Sequence, residues 1–246
     1  MGDRSVLVLS DPHLTVGGAG AAAARERLVA ALDALTADPG RRADALVLAG
    51  DLGDAGERAV YEDVRELAGA AAARLGAELV VLAGNHDDVG ELSLTLLGGG
   101  PLDRVVDVGG LRLVVLDTVV PGADHGELAP EQLAWLSDVL AGPPAPDGTL
   151  LLVHHPPLPA ALPVLDDLTL RGAEALADVL RGSDVGLVVA GHFHSSMAGA
   201  VAGIPVVVCP SLAEELHPLT GEPLLDPGAL RVDRVGGRWV AAAFPT

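Results

Sequence analysis

The chain is punctuated by short, unbroken apolar runs that stop at residues able to hold a metal or move a proton. Val6-Leu7-Val8-Leu9 stops at Asp11, Leu46-Val47-Leu48-Ala49 at Asp51 and Leu79-Val80-Val81-Leu82 at Asn85. Leu150-Leu151-Leu152-Val153 stops at His154, and Leu187-Val188-Val189-Ala190 at His192. Apolar runs this short, bordered by Gly or Pro, predict strands buried on both faces. Between the first three, residues 21–36 and 57–75 are amphipathic, with Arg and Glu on one side, and predict helices. The order βαβαβ implies a largely parallel sheet. Further on, the pattern predicts strands at 104–107 and 111–116, a helix at 130–140 opened by Pro130, and a helix at 173–181. From residue 197 it turns to strands, at 197–201, 204–208, 229–235 and 238–243, the last pair joined as a hairpin by Gly236-Gly237. The expectation is a single α/β domain over 1–246 with an antiparallel C-terminal portion.

In open α/β sheets chemistry collects beyond the carboxyl ends of the strands, and all five polar clusters fall there. Asp11-Pro12-His13 and His192-Phe193-His194 each put two ligand-type side chains at i and i+2, which an extended segment directs to the same side. In Gly50-Asp51-Leu52-Gly53-Asp54 a carboxylate follows a glycine, where the backbone can turn sharply. Gly84-Asn85-His86-Asp87 offers an amide oxygen and an imidazole in the same setting. Mixed Asp, His and Asn donors suit manganese, iron or zinc better than magnesium or calcium. One histidine pair alone would read as ordinary strand-end polarity. Five clusters that use six of the eight histidines do not.

Charge narrows the partners. Asp and Glu number 34 against 15 arginines, with no lysine, for a net charge of −19. Such a field repels nucleic acid and anionic lipid, and no basic, aromatic track is present to hold a strand. No nucleic-acid partner is expected, and a phosphate-bearing small molecule would need a local positive centre made of arginines or metal ions. The lone Cys209 can form no internal disulfide, which fits a reducing, cytoplasmic setting. The apolar run that follows Met1–Arg4 is too short for a signal-peptide core. Residues 185–213 carry no charge but are broken by His192, His194, Pro205 and Pro210, so no integral membrane segment is expected.

Asp11-x-His13, Gly50-Asp51-x-x-Asp54, Gly84-Asn85-His86-Asp87, His154 and Gly191-His192-x-His194, in this order, resemble the signature of the calcineurin-like metallophosphoesterases. Leu82 to Asp88, Leu116-Asp117-Thr118 and Val153-His154-His155-Pro156-Pro157 are similar to the class III cyclic nucleotide phosphodiesterases within that superfamily. The resemblance implies a four-layer α/β/β/α sandwich of two mixed sheets with two metal ions (iron, manganese or zinc) between them. It implies that Asp11, His13, Asp51 and His194 hold one ion and Asp51, Asn85, His154 and His192 the other, with Asp51 shared. His154 and His155 compete for one place, and the family's motif uses the first of the pair. The implied activity is hydrolysis of a cyclic nucleotide, foremost 3′,5′-cyclic AMP, by hydroxide held on the metal pair. His86 would serve as acid at the departing oxygen, with Asp87 orienting its ring. The alternative is a broader phosphatase or diesterase acting on 2′,3′-cyclic nucleotides, glycerophosphodiesters or phosphomonoesters. Asp54 reads as a supporting carboxylate, Asp117 as a loop cap, and His125 and His217 as surface residues. The match weakens over 214–246, where Pro218, Pro223 and Pro227 replace any clear strand. In similar enzymes such regions shape the pocket rim and the dimer contact, which leaves a homodimer open.

Overall fold

The computed structural model describes every residue except Met1, Ala19, Pro218, Leu225 and Asp226. The elements run β1 (Arg4–Leu9), α1 (Ala21–Thr36), β2 (Ala45–Ala49), α2 (Arg58–Leu75), β3 (Glu78–Leu82), α3 (Val89–Leu96), β4 (Arg104–Val108) and β5 (Leu111–Val115). There follow β6 (Gly126–Glu127), α4 (Pro130–Ala141), β7 (Thr149–Leu152), a 3-10 turn (Pro163–Leu168), β8 (Leu170–Arg171), α5 (Ala173–Leu180) and β9 (Val185–Ala190). The chain ends with β10 (Met197–Val201), β11 (Ile204–Val208), β12 (Glu215–Leu216), β13 (Pro223–Leu224), β14 (Gly228–Val235) and β15 (Arg238–Pro245).

The apolar runs become inner strands of two sheets, ordered β15-β14-β1-β2-β3 and β10-β11-β9-β7-β5-β4. β1, β2 and β3 are parallel, as are β5, β7, β9 and β11, whereas β14 joins β1 antiparallel with Leu7 opposite Arg231. Alternation along β1 shows why its run has no polar gap. Leu7 and Leu9 point to a core with Leu28, Leu32, Tyr61 and Val64 of α1 and α2. Val6 and Val8 point the other way, into a core with Leu113, Val115, Leu150 and Val189 of the second sheet. On the far side of that sheet Val114, Leu151 and Val188 meet Leu136, Leu176 and Leu180 of α4 and α5. Both faces of each central strand are therefore buried, and the layers stack helix, sheet, sheet, helix.

The expected helices and hairpin form within a residue or two of their predicted limits. The pattern did not announce α3, a short helix with only Leu92 and Thr95 buried, capped by Asp88, which accepts the Glu91 amide at 2.9 Å. Between 214 and 227 the described chain holds only the two-residue strands β12 and β13, and Pro218 lies outside the described residues. No helix among the described residues is long and apolar enough to cross a membrane.

Candidate metal centre

Extended geometry does not govern the ligand pairs. Asp11, His13, Asp51, His192 and His194 all have positive φ, at 53°, 46°, 50°, 73° and 45°, so the expected extended presentation at i and i+2 does not occur. Each strand ends and the backbone turns left-handed at the functional residue. That conformation costs a non-glycine residue of order 1 kcal/mol or more and persists only where neighbours fix it. Here they do. The amides of Asp11 and His13 donate to Gly50 O and Asp51 O at 3.1 Å each, and the His192 amide donates to the Asp11 carboxylate at 3.1–3.2 Å. Glu215 ties the last loop down by accepting the Ser211 amide at 2.7 Å and the Ser196 amide at 3.2 Å.

The turns gather the side chains between the two sheets. The Nε2 atoms of His13 and His194 lie 3.0 Å apart, with Asp11 Oδ1 at 3.6 Å from the latter. His154 Nε2 lies 3.3 Å from Asp51 Oδ2 and 4.0 Å from Asp11 Oδ1. Asp51 Oδ2 is also 3.6 Å from His13 Nε2, so this carboxylate stands between the two groups. The His154 and His192 rings are 5.0 Å apart. Gly50 makes the approach of His154 feasible: at φ 95°, a Cβ there would sit 2.7 Å from His154 Cγ.

The donor set fits metal ions. Three imidazoles each commit one nitrogen to an oxygen and leave the other toward the centre. His13 Nδ1 faces Asp54 Oδ1 at 3.2 Å, His154 Nδ1 faces Ala49 O at 2.8 Å, and His192 Nε2 faces Leu168 O at 2.9 Å. This is how outer contacts fix the tautomer of metal-binding histidines. Among the buried polar atoms without a hydrogen-bond partner are His154 Nε2, His155 Nε2 and Asn85 Oδ1, a state that costs free energy unless a cation or water accepts their lone pairs. The charges respond to the same crowding. Burial disfavours ionisation of Asp51, yet His154, His13 and the His86 amide hold it well below the usual carboxylate range. Burial likewise opposes charge on His154, but Asp51 and Asp11 outweigh it and raise the ring to about 9. His192, buried and close to His154, is lowered to about 4.

Residues 4–196 match the family model described as calcineurin-like phosphoesterase. The chain belongs to this family. It is 48% identical over 213 residues to a cAMP/cGMP dual specificity phosphodiesterase of Mycobacterium tuberculosis, a match that covers 84% of this chain and 66% of that protein. It is 36% identical over 178 residues to the 3′,5′-cyclic adenosine monophosphate phosphodiesterase CpdA of Escherichia coli K12, covering 71% and 63%. The chain thus spans about two thirds of the length of these curated relatives. Among solved structures, GAP50, the anchor in the inner membrane complex of Plasmodium, superposes with a TM-score of 0.62 at 11% identity, covering 99% of this chain and 84% of that one. At that identity the likeness concerns the fold alone, which is the calcineurin-like phosphoesterase fold.

Within this candidate centre the structure brings together Asp11, His13, Asp51, His154, His192 and His194, with His155 in the same cluster as His154 and His192 and with Asn85 in the loop that follows β3. His86 stands on the solvent side, its ring 4.8 Å from that of His13 and its Nδ1 3.3 Å from Asp54 Oδ1. Asp87 does not orient His86. It is buried and accepts the amides of Leu52, Gly53 and Gly84 at 2.9–3.1 Å and the Tyr61 hydroxyl at 3.1 Å, so it braces the two loops that carry Asp51 and Asn85. The contact expected of Asp87 is made by Asp54. His155 turns its Nδ1 to Thr118 Oγ1 at 2.8 Å and packs on His192 with ring centres 4.4 Å apart. Tyr61 and Glu215 carry no signal in the sequence, and Thr118 stands there only within the Leu116-Asp117-Thr118 motif, without a role of its own. Tyr61 is the chain's one tyrosine, set on the apolar face of a helix, and nothing local separates it from core.

Proposed function

We propose that the chain is a metal-dependent phosphodiesterase that opens cyclic nucleotides, with 3′,5′-cyclic AMP as substrate and 5′-AMP as product. The observation that carries the chemistry is the convergence of His13 Nε2 and His154 Nε2 on one buried carboxylate, Asp51, with His194 Nε2 facing both His13 Nε2 and Asp11 and with the buried His154 Nε2 and Asn85 Oδ1 left without a hydrogen-bond partner. The choice of substrate follows the relatives named as cyclic nucleotide phosphodiesterases. Asp11, His13, Asp51 and His194 would hold one ion and Asp51, Asn85, His154 and His192 the other. Two bound ions supply what the acidic protein lacks, positive charge for the phosphate and a nucleophile drawn from water at neutral pH.

The chain's own residues do the rest. Asp51 sets the spacing of the two groups, and Asp87 and Tyr61 fix the loops on either side of it. His86, half exposed and held through Nδ1 by Asp54, keeps Nε2 for the substrate. As water oxygen bonds to phosphorus and the bond from phosphorus to the 3′-oxygen breaks, His86 gives its proton to that oxygen, and the proton shed by the water passes to solvent, from which His86 is reprotonated. Metal ions of borderline character, iron, manganese or zinc, suit the mixed donors.

Purified protein with added manganese should hydrolyse 3′,5′-cyclic AMP faster than a model phosphodiester or phosphomonoester. Turnover of the model diester or of 2′,3′-cyclic nucleotides alone would keep the metal chemistry and discard this substrate. No metal-dependent turnover of any of them would overturn the reading.

A further inference from the structure

The metal centre lies at one end of the strands, and a second feature lies near the other. Ser5 on β1 is six residues from Asp11, roughly 20 Å along an extended strand. Beside it a cavity of about 200 Å³ is floored by Leu7, Leu35 and Phe244 and rimmed by Arg41, Arg42 and Arg231. The fold builds it from three pieces. Helix α1 covers Leu7 and ends at Thr36, and the loop that follows brings Arg41 and Arg42 back under its last turn. Strands β14 and β15 extend the sheet sideways. Arg231 stands opposite Leu7 in register and rises from the same face. Beyond it Val240 is 54% exposed, so that face is left open.

The charges in this cavity run against the rest of the chain. Arg231 pairs with Asp233, through Nε at 2.8 Å. Arg41 Nη1 donates to Ala34 O and Leu35 O, and Arg42 Nη1 to Pro39 O and Arg41 O, all at 2.8–3.0 Å. Among the described residues Arg41 and Arg42 form no ion pair, although carboxylates outnumber arginines 34 to 15. Both keep Nε and Nη2, and Arg231 keeps its two Nη groups, without a hydrogen-bond partner among the described residues. No carboxylate lines the cavity. Asp233 pairs with Arg231, and Asp3 and Asp44 lie in an adjoining cavity that shares Ser5, Arg42 and Arg231; Asp44 is already held by Arg4 and the Ser5 amide, so the open donors of Arg41 and Arg42 stand beside an apolar floor.

We propose that this cavity is a second ligand site, separate from the metal centre, for a phosphomonoester carrying a compact apolar or aromatic body. A phosphomonoester bears a charge of about −1.5 to −2 near neutral pH, and its oxygens match the paired donors of a guanidinium. A carboxylate or a phosphodiester brings only one charge. The floor of Leu7, Leu35 and Phe244 takes the body, and Phe244 offers a ring edge or face to a flat one. Nucleoside 5′-monophosphates belong to this class and are what opening a 3′,5′-cyclic nucleotide releases. That link alone rests on the function proposed above.

The test is a titration of the zinc-loaded, isotope-labelled full chain with 5′-AMP and, separately, with inorganic phosphate, followed by amide resonances. 5′-AMP should shift the signals of Leu7, Leu35 and Phe244 saturably, and inorganic phosphate should bind there about tenfold more weakly or worse. Arg41→Gln and Arg231→Gln should each weaken the response by about tenfold or more, the effect of losing a hydrogen bond to a charged group, and leave shifts around Asn85 unchanged. Shifts confined to the metal centre, or unmoved by both substitutions, would overturn the site. Equal affinity for inorganic phosphate would overturn the assigned apolar body. Absence of cyclic AMP hydrolysis would count against the proposed reaction and leave these binding outcomes as they stand.

Discussion

Asn85 has a single side-chain oxygen, buried and without a hydrogen-bond partner. Asn85→Ala removes that lone pair and little else, since the residue sits in the loop that follows β3. We expect it to weaken binding of one metal ion at least tenfold and to cut turnover by orders of magnitude, with the circular dichroism spectrum unchanged. Normal metal content in the variant would mean that the oxygen serves another partner. The neighbouring histidines give a sharper contrast. His154 turns Nε2 to Asp51, whereas His155 hydrogen-bonds Thr118 and packs on His192. His154→Ala should lose about one metal equivalent by elemental analysis. His155→Ala should retain both and lose stability instead, by roughly 1–3 kcal/mol for a buried, hydrogen-bonded side chain. The reverse order would exchange the two residues' roles.

At the scale of elements, the chain leaves β5 for Asp117, two residues beyond it, whose amide donates to Asp103 while Gln132 of α4 bridges Asp103 and the Asp117 carbonyl. Burial, followed by repulsion from Asp103, raises the Asp117 carboxyl from 3.8 to about 6. A carboxyl raised on folding binds its proton more tightly in the native chain, so its contribution is greatest below about pH 4 and is lost as pH rises through 6. The loss approaches at most about 3 kcal/mol. Asp117→Asn keeps the bond from the Val119 amide and removes the titration. Denaturant unfolding of the two proteins from pH 4 to 7 should show the variant gaining on the parent as pH rises, and parallel curves would refute the assignment. Elements such as β1, β2, β3, β7 and β9 were legible in the sequence because burial on both faces leaves an unbroken apolar run. The left-handed turns at Asp11, His13, Asp51, His192 and His194 were not, because the preference of Asp and His for φ above zero, though several-fold that of other non-glycine residues, is too weak to place a turn by itself. Contacts from Gly50 O, Asp51 O and Glu215, distant in sequence, hold them. The same holds for Asp87, whose partners Leu52, Gly53 and Tyr61 lie far back in the chain. Adjacent position suggested His86 as its target, and the fold chose otherwise. The pairing of β14 with β1 likewise depends on a register across more than two hundred residues that no short pattern encodes.

For the whole molecule, the centre concentrates Asp11 and Asp51 in the interior of a chain already at −19. Without metal their charge is met by His154 and His194, both raised above the ordinary histidine value. The three apolar layers do not depend on that charge balance, so the metal-free protein should remain folded. Ions that bind the folded chain and not the unfolded one add stability in proportion to the logarithm of their excess, about 2.7 kcal/mol per site at a hundredfold excess over Kd. Two such sites give roughly 5 kcal/mol. In a chain of this length each kcal/mol moves Tm by about 2–4 °C, so chelation should lower Tm by roughly 10–20 °C and added manganese or zinc should restore it. Asp51, shared between the two groups, makes a further demand. Asp51→Asn should abolish most of the metal-induced rise, because both sites lose charge at once, while Asn85→Ala should abolish about half. A Tm indifferent to chelator in the parent protein would remove the metal centre from the account, whatever its resemblance to other phosphoesterases.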